Sequence, residues 1–291
     1  MFDKFISSFV INFKVEPQTG FLIASGKIPI DPIEPDTSFV KARTTYSDYP
    51  LPYIPGSSFK GPIRAFTESL LRSKNQNAAC DLGEGNCMKN YNNKKDSGIE
   101  RYKHACLACR MFGSTKMASK LRFDDLLPYK SIDEIEGVLN RVREKSTIRN
   151  GIKIDRAKGT AAGGALFFYE SITIPFYGSI TAKNPEKWQL GLIFQIFDHI
   201  NSGYIKFGHS KSRGMGRLKI EVESIDIAYT GEKLTFWDLN GENKGLNIEI
   251  NGSGDFVKTV RLEKDDMLKF IDAIKDESKE ELERAVNTKR E

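Results

Sequence analysis

The spacing of hydrophobic and polar positions predicts a chain that contains both strands and helices. Alternating or short apolar runs predict strands, whereas apolar residues three and four positions apart predict helices. Strands are predicted at residues 5–15, 21–27, 121–127, 165–174 and 217–229. Helices are predicted at residues 59–72, 131–141, 185–200 and 265–286. With insertions set aside, the order β, α, β, β, α, β predicts an α+β fold with the βαββαβ core of ferredoxin-like and RNA-recognition (RRM) folds.

Two segments interrupt this core, and a third extends it. Six of the eleven prolines lie between positions 27 and 55. Neither a helix nor a central strand is expected there, so this segment is predicted to be a long irregular loop. Residues 75–120 are polar and irregular and hold all four cysteines. Residues 230–263 are expected to add further hairpin strands before the last helix.

Composition narrows the class of protein. The 291 residues include 44 Lys and Arg against 39 Asp and Glu, and 39% are hydrophobic, which is enough for one large domain or two small ones. No window is apolar enough to cross a bilayer. Polar breaks interrupt the N-terminal segment where a signal peptide needs an apolar run. We therefore expect a cytoplasmic protein with no membrane partner.

The positive charge is concentrated in two glycine-containing segments. Residues 141–160 hold seven Lys or Arg and two acids, and residues 204–219 hold five and none. Cations interleaved with glycines suit a polyanion such as RNA, because glycines let its backbone approach closely. The alternative is a pair of solvated lysine-rich loops. The candidate RNA-binding residues here are Arg149, Lys153, Arg156, Lys158, Lys206, His209, Lys211, Ser212, Arg213 and Arg217.

A turn before the first helix is a further candidate anion site. The run PYIPGSSFKG at 52–61 places Ser57 or Ser58 at the predicted N-cap, with Lys60 and Arg64 one turn further on. A helix N-terminus of this kind exposes N–H groups and hydroxyls to an anion. An ordinary connection between a strand and a helix is the alternative.

The cysteines favour a structural zinc site. Cys80, Cys87, Cys106 and Cys109 offer four thiolates in a polar segment with little else to pack, and the C-x2-C pair is the most specific part of the spacing. Reduced structural cysteines or disulfides are the alternatives. His104 is an alternative ligand that could replace Cys80 or Cys87.

Four motifs in this chain resemble those of the RAMP superfamily, the repeat-associated proteins of CRISPR systems. They are PYIPGSSFKG at 52–61 with Arg64, CLACRMFG at 106–113 followed by LRFDD at 121–125, FGHSKSRGMGR at 207–217 and, more loosely, IKIDR at 152–156. Within that superfamily, the sequence is similar to the repeated backbone subunit of type III RNA-guided effector complexes of the Csm or Cmr class.

The resemblance implies a domain plan and a set of partners. It implies an RRM-like core over 1–228, containing the cysteine-rich insertion at 75–120 and a projecting thumb hairpin at about 142–165. Residues 229–291 would form a C-terminal extension packed on that core. The implied partners are guide RNA (crRNA), complementary target RNA, other subunits of the type III complex and copies of this chain in a helical filament.

The resemblance also implies cleavage of target RNA by an aspartate, with Mg2+ or another divalent cation. The run DTSFVK at 36–41 matches the family pattern around that aspartate except that Ser38 replaces the usual Pro. Asp36 is therefore the candidate catalytic residue, Asp31 and Asp48 are the alternatives, and Lys41 is a further candidate RNA-binding residue.

Other functions remain open. The chain could be a structural subunit that holds guide RNA without cutting, or a repeat-processing ribonuclease of the same superfamily. The ribonuclease is expected to use an N-terminal histidine, whereas His104, His199 and His209 all lie later in the chain. A zinc protein that does not bind nucleic acid would leave the two basic segments unexplained.

Overall fold

The computed structural model describes residues 4–27, 29, 31, 34–44, 47–80, 87–88, 91, 97–239 and 244–288. In this part of the chain the strands are β1 (Ser7–Pro17), β2 (Lys41–Thr44), β3 (Ser47–Pro52), β4 (Leu121–Phe123), β5 (Ser146–Asp155), β6 (Thr160–Ile172), β7 (Phe176–Lys183), β8 (Leu218–Tyr229) and β9 (Lys258–Leu262). The helices are α1 (Gly56–Lys74), α2 (Gly98–His104), α3 (Leu107–Phe112), α4 (Ile135–Lys145), α5 (Lys187–Asn201) and α6 (Lys264–Asn287). The fold is thus mixed, as predicted.

Five strands form one antiparallel sheet in the order β4-β7-β1-β8-β9. The central strand β1 alternates buried and partly exposed residues, which is the pattern of a sheet covered on one face. On the covered face, Phe13 contacts Phe59 of α1 and Phe197 of α5, and Phe9 stacks on Phe270 of α6. The core therefore lies between the sheet and these three helices.

Two hairpins stand apart from the sheet. β2 pairs with β3, and β5 pairs with β6, each as an antiparallel two-stranded unit. The hairpin β2–β3 corrects the expectation of an irregular loop up to position 55. Pro50 and Pro52 are compatible with β3 because a two-stranded ribbon leaves one edge of each strand unpaired.

The strand predictions at residues 5–15 and 217–229 and the four helix predictions are confirmed to within a few residues. The prediction at residues 21–27 is wrong as a strand, since only isolated bridges form there. Residues 165–174 are mostly strand but belong to the hairpin β5–β6. In the five-stranded sheet, the strand that follows β4 along the chain is β7, which the sequence analysis did not predict. Between 230 and 263, the described residues contain one strand, β9.

The C-terminal helix closes the core. α6 packs along α5 at a point where a side chain at Gly191 would collide with Ser278. Lys187 at the start of α5 pairs with Glu277 of α6 at 2.7 Å. Among the described helices none is both long and apolar enough to span a membrane.

Candidate functional site

Four thiols converge next to α3. The Sγ atoms of Cys80, Cys87, Cys106 and Cys109 all lie within 4.8 Å of one another. Cys80 Sγ lies 3.4 Å from both Cys106 Sγ and Cys109 Sγ. Tetrahedral zinc with Zn–S bonds of about 2.3 Å requires S–S separations of about 3.8 Å. The donor set and spacing are therefore compatible with zinc.

Backbone N–H groups also donate hydrogen bonds to sulfur atoms at this site, which stabilises thiolates. Cys87 N donates to Cys80 Sγ, Cys106 N to Cys87 Sγ and Cys109 N to Cys106 Sγ, at 3.1–3.3 Å. The last of these bonds caps α3, so the C-x2-C pair is positioned by a helix start. His104 lies outside this cysteine cluster and packs on the Tyr91 ring at 5.3 Å, so the geometry favours the four cysteines as the ligand set.

The crowded thiols differ in acidity. Hydrogen bonding from Cys106 lowers the pKa of Cys87 to about 3, whereas hydrogen bonding with Cys106 raises the pKa of Cys80 and of Cys109. Thiols this close cannot all ionise unless a cation balances their charge. A divalent ion bound here would supply that charge and tie together the ends of the segment that the cysteines enclose.

Two cations that are predicted to bind RNA also hold this segment to α1. Arg64 donates to Glu68 Oε1 at 2.8 Å, to Gly113 O at 3.2 Å and, more weakly, to Cys109 Sγ at 3.8 Å. Lys60 Nζ donates to Phe112 O at 3.0 Å, and burial lowers its pKa. Both side chains are thus already engaged within the chain, and RNA binding by them remains a prediction.

The N-terminus of α1 already has an anionic partner. The helix begins at Gly56, so Ser57 and Ser58 lie in its first turn and the N-cap prediction is wrong. Asp125 accepts the Gly56 N–H at 2.7 Å, and a side chain at Gly56 would come within 2.4 Å of Phe123 O. The carboxylate therefore stands where the sequence analysis expected an external anion.

On another side of the molecule, residues 20–25 join three elements. Ser25 N donates to Ser38 O and Val40 N to Ile23 O, which fixes the loop that contains Asp36. His209 N donates to Leu22 O at 2.8 Å, which fixes the segment of residues 203–217, named here the glycine-rich loop. Phe21 pairs with Ile172 of β6. The aspartate loop, the glycine-rich loop and the hairpin β5–β6 thus adjoin one short segment.

Asp36 is exposed and held to the hairpin. Its Oδ2 accepts the Phe168 N–H at 2.6 Å. Lys41, predicted to bind RNA, pairs with the buried Glu170 at 2.9 Å, and Glu170 also accepts the Phe39 N–H. These bonds fasten both ends of the run at 36–41 to β6. Asp31 lines a cleft of about 580 Å3, and Asp48 is exposed on β3.

The hairpin and the glycine-rich loop carry exposed cations. Eight of the predicted RNA-binding cations are exposed, and within the described chain none of them forms an ion pair with an acid. They are Arg149, Lys153, Arg156, Lys158, Lys206, Lys211, Arg213 and Arg217. Ser212 is exposed among them, and Ser210 and His209 bond to each other at 2.8 Å. The two basic segments therefore offer positive charge that no acid among the described residues neutralises.

Glycines shape this loop where the backbone approaches closely. Gly216 has φ +82°, and a side chain there would lie 2.0 Å from Phe207 O. Tyr204, which was not among the predicted site residues, is 75% exposed next to Gly203, where Arg217 packs. Its signal was an aromatic residue interleaved with cations, as in single-strand binding surfaces.

A sequence model of the RAMP superfamily matches residues 25–219, which is 195 of the 291 residues. The chain belongs to the RAMP superfamily. RAMP proteins are the Csm- and Cmr-type subunits of CRISPR systems, so the family prediction is confirmed. The matched range includes α1, the cysteine cluster, the hairpin β5–β6 and the glycine-rich loop. A search of curated proteins finds no match.

Proposed function

We propose that this RAMP protein is a backbone subunit of a type III CRISPR interference complex. In this proposal it binds crRNA along a filament of its own copies, beside other subunits, and cleaves complementary target RNA. The observation that carries the proposal is the surface of eight exposed cations, unpaired within the described chain, on the hairpin and the glycine-rich loop. Through residues 20–25 this surface adjoins the loop of Asp36.

The sheet topology supports the domain plan. In chain order, β1, α1, β4, β7, α5 and β8 give β, α, β, β, α, β, and their sheet order β4-β7-β1-β8 is that of a ferredoxin-like core. The cysteine-rich segment enters after α1, and the hairpin β5–β6 enters between β4 and β7. We assign these as the zinc-binding insertion at 75–120 and the thumb at about 142–165, with 229–291 as the extension.

The distribution of charge supports an RNA track on the loops rather than on the sheet. On the open face of the sheet, Asp226 accepts from Asn12 at 2.7 Å and pairs with Arg261, so part of the charge there is already matched. Phosphates bind best where cations lack internal acidic partners. Contacts to phosphate leave sequence recognition to base pairing between guide and target.

Cleavage is assigned to Asp36. One of its oxygens accepts the Phe168 N–H, and that bond positions the side chain on β6. The carboxylate would hold Mg2+ or another divalent cation, which would stabilise charge at the scissile phosphate. The cysteine cluster would hold zinc in a structural role, because its thiols are largely buried and saturate a tetrahedral ion.

The test compares Asp36→Ala and Asp36→Asn in the assembled complex, with target RNA and Mg2+ resolved on a denaturing gel. The Asn variant keeps an oxygen to accept the Phe168 N–H but lacks the charge. We expect both variants to lose cleavage while guide binding and assembly persist. Asp31→Ala and Asp48→Ala are the matched controls and should cut normally.

A second candidate function is a subunit that holds guide RNA without cutting. The observation that favours this alternative is that Asp36 already fastens its loop to β6 by accepting the Phe168 N–H. Wild-type cleavage by Asp36→Asn would support it. Cleavage lost in the Asp31 or Asp48 variant instead would move the catalytic assignment to that residue. A repeat-processing ribonuclease ranks below both functions.

A further inference from the structure

The four sulfurs of the cysteine cluster each accept an N–H group, but the donors differ in kind. The sulfurs of Cys80, Cys87 and Cys106 accept backbone N–H groups, all of them from other cysteines of the cluster. Among the described residues, Cys109 Sγ accepts no backbone N–H, and its donor is Nη2 of Arg64 at 3.8 Å. A side chain of α1 thus completes the set of donors that backbone amides supply to the other three sulfurs.

Two further bonds hold the guanidinium of Arg64 in place. Nε donates to Glu68 Oε1 at 2.8 Å, one turn further along α1, and Nη1 donates to Gly113 O at 3.2 Å. Glu68 is buried, so its carboxylate needs this partner. Three N–H groups of one planar side chain therefore meet a carboxylate, a carbonyl and a sulfur at the same time. The ammonium of a lysine has no such fixed fork of donors.

The charge of the cluster gives this contact a role at the metal. Four thiolates outnumber the two positive charges of one zinc ion, so the occupied centre is an anion, and three of its four cysteines are buried. A buried anion is unfavourable unless a cation or hydrogen-bond donors lie beside it. Backbone amides contribute only partial charges, whereas Arg64 brings a full positive charge next to Cys109 Sγ. Groups that bond to the ligands of a metal in this way orient those ligands and set the metal affinity.

We propose that Arg64 tunes the zinc site: positioned by Glu68, it stabilises the Cys109 thiolate and raises the affinity of the cluster for the metal. This inference rests on the proposed zinc site but not on RNA binding or cleavage. Because Arg64 belongs to α1, it also links the metal to the first helix of the core. Metal binding should therefore stabilise the packing of the cysteine segment on α1.

The test replaces zinc by Co2+, whose sulfur-to-metal charge-transfer band reports the surroundings of the thiolates. A hydrogen bond from a cation lowers the energy of the sulfur electrons, so the loss of that bond should move the band to longer wavelength. We expect this shift in both Arg64→Met and Arg64→Lys. The Lys variant keeps a cation for Glu68 but lacks the planar fork, so it remains informative if the Met variant does not fold. In competition with a chelator, both variants should bind zinc about tenfold more weakly than the wild type.

The matched control is Lys60→Met. Lys60 also lies on α1 and donates to Phe112 O, the carbonyl next to Gly113 O, but within the described chain it forms no hydrogen bond to a sulfur. This variant should keep the wild-type band and zinc affinity. An equal shift in Lys60→Met would trace the effect to loosened packing and overturn the inference. A wild-type band and affinity in the Arg64 variants would also overturn it while leaving the zinc site intact. A wild-type protein that binds neither metal would overturn the proposed zinc site as well.

Discussion

Two basic regions of this RAMP protein use the same residue types in opposite ways. On α1, Lys60 and Arg64 donate to backbone carbonyls and to Glu68, and they fasten the cysteine segment to the core. On the glycine-rich loop, Lys211 and Arg213 are exposed and lack an acidic partner among the described residues. The difference indicates that the cations of a basic motif are available to an external anion only where the fold does not already satisfy them. The first region should therefore govern stability and the second RNA affinity.

The largest effect is expected from the cysteine cluster. Cys106→Ser keeps a side chain that can cap α3 but removes the thiol that contacts Cys80, so it should release bound zinc and loosen residues 75–120. The segment should lose a substantial part of the folding free energy of roughly 10–16 kcal/mol that zinc supplies to small structural sites. Elemental analysis and limited proteolysis measure both changes. His104→Ala is the control and should retain the metal, and a wild-type protein purified without chelator that contains no zinc would contradict the assignment.

The next largest effect tests the structural role of the α1 cations. Arg64→Ala leaves the buried Glu68 without its partner and frees Gly113 O, so unfolding should become easier by about 2–3 kcal/mol. Urea denaturation measures this change. Arg156→Ala on the exposed hairpin is the matched control and should stay within about 0.5 kcal/mol of the wild type. Equal stability of the two variants would break the comparison.

A smaller effect concerns Lys120, which is buried between Tyr102 and Trp237. Lys120 is 3% exposed, and its Nζ lies 4.6 Å from the Tyr102 ring centroid and 3.8 Å from that of Trp237. Nζ has no hydrogen-bond partner within the described chain. Burial lowers the pKa of Lys120 to about 7, although the negative charge of Glu186 acts to raise it.

This shift predicts a pH dependence with a definite sign. Between pH 7 and the ordinary lysine pKa of 10.5, the unfolded chain holds a proton that the folded chain lacks. The free energy of unfolding should therefore rise with pH in this window, by up to about 1.4 kcal/mol per unit. From pH 7 to pH 9 the wild type should gain roughly 2 kcal/mol more than Lys120→Met. The same pH dependence in both proteins would show that the ammonium keeps its charge in the fold.

The sequence correctly predicted the elements that are determined by their own pattern of apolar residues. α5 and β1 have continuous apolar patterns, and both form where expected. β7, with the sequence FYGSITAK, is built largely from small or polar residues and forms because β1 and β4 pair with it on either side. Tertiary pairing outweighs local propensity in such a strand.

The features of the candidate site also divide into those that the sequence predicts and those that it does not. Thiol spacing alone identified the cysteine cluster, because four ligands of one type leave few other arrangements. The internal ion pairs and hydrogen bonds of Lys41, Lys60 and Arg64 could not be predicted, because their partners are far away in the chain or are backbone carbonyls. The hydrogen bond between Asp125 and the first residue of α1, Gly56, could not be predicted either, because 69 residues separate the two. Sequence shows which residues carry charge but not which charges the fold neutralises.

The smallest predicted effect is the sharpest test of that distinction. Lys211→Ala and Arg213→Ala remove exposed cations that pair with no acid in the part of the chain that the structure describes, so the free energy of unfolding should stay within about 0.5 kcal/mol of the wild type. Each should lower the steepness of log K against log salt for single-stranded RNA by about 0.7, the value for one phosphate contact. Lys60→Ala is the matched control: its lysine is bonded to Phe112 O, so its salt slope should equal that of the wild type. A reduced slope in Lys60→Ala with unchanged slopes in the loop variants would place the phosphate track on α1 and reverse the roles of the two regions.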